Sequence, residues 1–88
     1  MRTIYKYPLE VTDVQRVLMP MSAKVLCVQV QDGVSCLWAE VDPAAQQKEQ
    51  TFYIYGTGHP LHDLHALHTY IGTFQLHGGA LVFHVFQA

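Results

Sequence analysis

Four of the chain's six histidines, His59, His62, His65 and His68, recur every third residue, interleaved with Leu61, Leu64 and Leu67. Imidazole is a common ligand of zinc and nickel. On an α-helix three residues advance by about 300°, so successive histidines drift by about 60°. A neighbouring pair such as His62 and His65 could share an ion, but His59 and His68 would face opposite sides. No C-x-x-C or H-E-x-x-H pattern accompanies them. The run therefore reads as a histidine-rich polar face, with no metal ligand assigned and no cofactor expected.

The same stretch opens on Gly56-Thr57-Gly58-His59, directly after the β-rich run TFYIY. Glycines between a strand and a helix can present backbone N–H groups to an anion. There is no G-K-[ST] here, and a corner that simply needs positive φ explains the glycines equally. Two further candidates lie on strand faces. Trp38 accompanies Cys27, Gln29 and Glu40, and exposed tryptophan is enriched at interface centres. His84 accompanies Thr73, Gln75 and His77. The candidate ligand- or partner-binding residues are thus Trp38, Gly56, Thr57, Gly58, His59, Gln75 and His84. No catalytic residue is assigned. The carboxylates are dispersed, and no nucleophile, base and orienting group come together without tertiary contacts. The expectation is a protein that is not an enzyme.

The elements that must position these residues are strands. RTIYKY (2–7) alternates, with Thr3, Tyr5 and Tyr7 on one face, and ends at Pro8. Thr12–Met19 reads as an edge strand stopped by Pro20. Lys24–Gln31 and Val34–Asp42 flank Asp32-Gly33, a type I′ hairpin signal. In that hairpin residues whose numbers add to 65 face one another. Leu26, Val28, Val30, Leu37, Ala39 and Val41 then make the core face, and Cys27 lies across from Trp38. Cys36 is only diagonal to Cys27, roughly 7–8 Å away, which predicts two free thiols.

Pro43–Gln50 reads as a surface loop, and Thr51–Tyr55 as the next strand. A short helix over about 60–68 is suggested by Pro60 and the leucine spacing, with a turn-rich loop as the alternative. A last hairpin, Thr69–His77 with Ala80–Phe86, turns at Gly78-Gly79. Its core face is Tyr70, Phe74, Leu76, Leu81, Phe83 and Val85, with a gap at Gly72, and Thr73 sits opposite His84. The fold class expected is mainly β: an antiparallel sandwich or small barrel of about six to seven strands, with at most one short helix near 60–68.

Composition narrows the function classes. Eighty-eight residues, half of them apolar, make one domain, 1–88. A net charge of −2 with five scattered Lys and Arg excludes a nucleic-acid partner. Apolar runs fall far short of the ~20 residues of a spanning helix, and no secretion leader is visible, so a cytoplasmic protein is expected. With 14% charged residues, the surface favours being covered, by a homo-oligomer or another partner.

The blocks IYKYPL (4–9), VQVQDG with LWAEVDP (28–43), GTGH (56–59), and YIGTFQ with LVFHVF (70–86) carry a resemblance. The chain resembles a family of small uncharacterised proteins of about ninety residues, found in tailed phages, prophages and bacteria. The family has no assigned activity. The resemblance implies a non-virion phage or prophage accessory protein in the host cytosol. Such proteins are often inhibitors of host defence that bind a host protein or sequester a small nucleotide ligand. The expectation is therefore a non-catalytic binding protein. The alternatives are a histidine-dependent metal-binding protein or small hydrolase, or a purely structural oligomer subunit.

Overall fold

The computed structural model describes residues 1–88. Seven strands form two antiparallel sheets, and the sandwich is not closed into a barrel. The strands are β1 (Thr3–Pro8), β2 (Val14–Pro20), β3 (Lys24–Gln31), β4 (Val34–Val41), β5 (Gln47–Gly56), β6 (Thr69–Leu76) and β7 (Leu81–Gln87). One sheet has the order β1-β4-β3, the other β2-β5-β7-β6. Consecutive β1 and β2 therefore belong to different sheets. The crossing between them is pinned where Leu9 N–H donates to Ser35 O at 2.8 Å. No helix is long and apolar enough to cross a membrane.

The core is built by alternation. Leu37, Ala39 and Val41 of β4 face inward, toward Phe52 and Ile54 of β5, Phe74 of β6 and Val85 of β7. Residues 60–68 contain no α-helix, only the 3-10 turn His65–Leu67, so the turn-rich alternative holds. The surface loop expected over 43–50 is shorter than the composition suggests. Gln47–Gln50 extends β5 and pairs with Pro20–Val17. Polar side chains are compatible with a strand there because Gln47, Lys48 and Glu49 are exposed, while their neighbours Met19 and Pro20 on β2 are buried.

Both hairpins keep the expected pairing near their turns, Cys27 with Trp38 and Thr73 with His84, and then each shifts by one residue. In β3 the shift falls between Val25 and Cys27, leaving Leu26 as the bulged residue. In β6 it falls between Tyr70 and Gly72, at Ile71. A one-residue slip exchanges faces. So Val25 and Ile71 pack on the core, while Leu26 and Tyr70, expected inside, are 43% and 55% exposed. Val30 and Leu81 also lie beside the turns and remain exposed. The second turn is wider than a glycine pair. Residues His77–Gly79 form a 3-10 turn, and the last paired residues are Leu76 and Leu81. Cys27 and Cys36 are both free, and Cys36 is buried on the central strand of its sheet.

Tyr7 of β1 packs against the core. Burial, with a smaller contribution from Tyr5, raises its phenol above the ordinary 10.0. A raised folded-state value means that the stabilisation is complete below pH 10.0 and is lost as pH rises through the folded value. Thermal melts above pH 10.0 should therefore fall more steeply for the wild type than for Tyr7→Phe. Parallel curves would contradict this assignment.

Candidate functional site: an aromatic and imidazole groove

The outer face of the four-stranded sheet is aromatic. Tyr53 and Tyr55 alternate outward from the buried Phe52 and Ile54, and their rings stack 6.4 Å apart. Phe86 on β7 lies 5.8 Å from Tyr55 and 5.3 Å from Tyr70. Tyr70 reaches this face only because the bulge at Ile71 turns it outward. Missing these rings as a unit has a clear cause. TFYIY does show two tyrosines on one face, but Tyr70 joins them only after a register shift. An isolated glycine in a strand, here Gly72, is the sequence signal for such a shift.

Segment 59–68 lies over this floor as a strap. His62 lies tilted 5.1 Å from Tyr53, His68 stacks 4.7 Å from Tyr53, and His65 meets Phe86 edge-on at 4.5 Å. The backbone N–H of His62 donates to Tyr55 Oη at 3.1 Å. Leu64 N–H donates to His62 Nδ1 at 3.0 Å, which places the His62 proton on Nε2. Nδ1 of His65 and of His68 is buried without a partner. No three His, Cys, Asp or Glu side chains are grouped to hold a metal ion. The histidine periodicity is thus absorbed by contacts between rings. The leucines between them, Leu61, Leu64 and Leu67, are all exposed, Leu67 to 75%.

The corner 56–59 is a tight turn in which His59 N–H donates to Gly56 O at 3.0 Å and Gly58 has φ +88°. This agrees with the positive-φ explanation at Gly58, whereas Gly56 has no positive φ. Thr57 N–H donates to Val82 O at 3.2 Å, so the corner is not a row of free N–H groups. Of the three N–H groups after Gly56, only that of Gly58 has no acceptor within the chain. The His59 ring folds back on Gly56, where an added Cβ would lie 2.8 Å from the imidazole. Gly56→Ala should therefore swing this ring aside with little loss of stability. The shift is measurable as a change in His59 NMR resonances with the melting temperature nearly unchanged; a large drop in melting temperature would contradict it.

Hydroxyls and His84 complete the face. Thr57 Oγ1 lies 2.7 Å from His84 Nε2, and Thr73 Oγ1 lies 2.9 Å from His84 Nδ1. Tyr70 Oη is 2.6 Å from Thr73 Oγ1. The result is a continuous row, Tyr70–Thr73–His84–Thr57, crossing β6 and β7 to the corner. Two cavities lie over this sheet, and only the smaller touches the row. One, of about 270 Å³, is walled by the corner, Tyr70, His84 and Phe86. The other, of about 460 Å³, runs from Asp13 and Val14 to His62. They share Tyr55, His59 and Leu61. No lysine or arginine lines either cavity.

Of the residues proposed from sequence, the structure brings Gly56, Thr57, Gly58, His59 and His84 together here. Gln75 is exposed further along β6, opposite Val82 and outside both cavities. Trp38 stands on the outer face of the other sheet, half-buried across from Cys27, with Lys6 Nζ 6.0 Å from its ring centroid. The rings of Tyr53, Tyr55, Tyr70 and Phe86, with the hydroxyl of Thr73, are the part of the groove that the sequence reading left out.

One family model, described as a domain of unknown function (DUF7352), matches residues 1–88. The chain belongs to this family. Because the match spans every strand, the aromatic floor and the corner lie within the family's domain. Nothing among the curated proteins or the solved structures matches the chain.

Proposed function

We propose that this member of the family is a non-catalytic binding protein that sequesters a small nucleotide-type ligand in the host cytosol. It would serve as an accessory protein of a phage or prophage and as an inhibitor of host defence. The phage context is supported by the resemblance carried by blocks such as YIGTFQ and LVFHVF. The observation that carries the binding reading is the pair of cavities over an aromatic floor, the smaller edged by the hydroxyl–imidazole row. Rings there offer a stacking surface to a planar base, and each hydroxyl can donate or accept to its edge. With no lysine or arginine at hand, phosphate contacts would fall to the His59 and His62 imidazoles and to Gly58 N–H. Homo-oligomerisation would add cations from neighbouring subunits and cover exposed apolar side chains.

Calorimetric titration with a panel of purine and pyrimidine nucleotides, cyclic ones included, tests this. Saturable binding is expected, weakened about ten- to a hundredfold by Tyr55→Ala, as loss of a stacked base predicts. Absence of binding across the panel, or binding indifferent to Tyr55→Ala, would refute the reading. A host protein is the second reading, favoured by Leu61, Leu64 and Leu67 standing exposed on the strap. Pull-down lost on Leu64→Asp and Leu67→Asp, with no nucleotide bound, would select it.

A further inference from the structure

The row through His84 has the arrangement of a nucleophile, a base and an orienting group. Thr57, exposed on the corner, places Oγ1 2.7 Å from His84 Nε2. The other ring nitrogen is held at 2.9 Å by Thr73, itself held at 2.6 Å by Tyr70. These separations are within the reach that proton transfer requires. Gly58 N–H, next along the chain from Thr57, has no internal acceptor. Beside it lies the cavity of about 270 Å³ walled by Tyr55, Leu61, Tyr70 and Phe86. We infer that Thr57 is an activated hydroxyl that accepts acyl groups from activated carboxylic esters whose acyl or aryl part fits this apolar cavity. This departs from the non-catalytic half of the reading above, needs no bound nucleotide, and stands or falls separately from ligand sequestration.

The step balances within the chain. With the His84 proton on Nδ1 and donated to Thr73 Oγ1, the Nε2 lone pair accepts the Thr57 O–H. Thr57 Oγ1 attacks the ester carbonyl carbon as its proton passes to Nε2. The carbonyl oxygen becomes an oxyanion beside the free Gly58 N–H. Collapse breaks the bond to the leaving alkoxide, which takes the proton from Nε2 and departs as the alcohol. The product is acyl-Thr57, and water attacking with the same proton transfers releases the acid. The orienting group is a hydroxyl and brings no negative charge to the imidazolium. Both half-reactions are therefore slow, and because the leaving group of an activated ester departs more readily than the Thr57 alkoxide, acylation outpaces hydrolysis and the acyl form accumulates. Thr57 and His84 are the reacting pair, whereas Thr73 and Tyr70 position the ring.

The experiment incubates the full chain with p-nitrophenyl acetate, with no nucleotide present, and follows nitrophenolate release and peptide mass. Acetyl is expected on Thr57 in the wild type and on the hydroxyl of Thr57→Ser. Thr57→Val and Thr57→Ala should lose the label at 57 and fall to background release. His84→Phe and His84→Gln should slow labelling by about a hundredfold. Thr73→Val should keep the label but alter the pH profile of its rate, which mere structural support would leave unchanged. Acetyl confined to lysines or the amino terminus in the folded wild type would overturn the inference. So would unchanged release in either Thr57 variant. Because the assay contains no nucleotide, its failure is separate from failure of the binding reading.

Discussion

Phe52→Ala should lower the unfolding free energy by about 3–5 kcal/mol, the largest loss expected from any single truncation of this core. The ring is completely buried on the inner face of β5. Its strand is central in its sheet, paired with β2 on one side and β7 on the other. Removing the ring loses its transfer free energy and leaves a cavity that two paired neighbours prevent from collapsing. Small domains hold only about 5–15 kcal/mol in total, so the variant should unfold at a fraction of the wild-type urea midpoint. Phe52→Leu, which preserves most of the volume, should cost less than about 1.5 kcal/mol. Equal midpoints for the two variants would mean that the site relaxes freely and that this packing is misassigned.

Gly72→Ala should destabilise by about 1–3 kcal/mol, the usual cost of overfilling a packed contact. A Cβ at residue 72 would lie 2.8 Å from Val28 Cγ1 on β3. Val28 is buried, so its methyl group has little room to retreat. The absence of a side chain at 72 is what lets the edges of the two sheets approach. Val28→Ala alone should also destabilise, by removing buried methyls, yet in combination with Gly72→Ala it should recover part of the loss. Chemical denaturation of the two single variants and the double variant gives the coupling. Simple additivity would show that β3 and β6 do not meet there.

These two positions also show what was legible beforehand. Phe52 followed from alternation in TFYIY, since a half-buried strand sorts its side chains by parity. Parity likewise placed Leu37, Ala39, Val41, Phe74 and Val85 in the core. It failed at Leu26 and Tyr70, and for one reason: a bulge adds a residue and reverses parity beyond it. Gly72 was visible as a gap, but the neighbour that fills it lies on another sheet, and no local pattern names such a neighbour. The site divides in the same way. The corner and the pairing of Thr73 with His84 depend on local turns and were readable. The meeting of Thr57 with His84 depends on β5 lying beside β7, a pairing set by the whole sandwich. The histidine spacing, regular enough to suggest a helix, is used instead to seat three rings on the aromatic floor, where spacing along the chain matters less than contact beneath it.

The division of β1 and β2 between the two sheets has a consequence for synthesis on the ribosome. β1 must wait for β4, and β2 for β5, to emerge before either has a partner. Until then the first twenty residues travel as an uncommitted ribbon with Tyr7, Leu9 and Met19, which the finished fold covers, still in water, in a fold whose distant pairings are slow to close. The nascent chain is therefore most prone to clump midway through translation, and slowing elongation before residue 56 should lower its soluble yield.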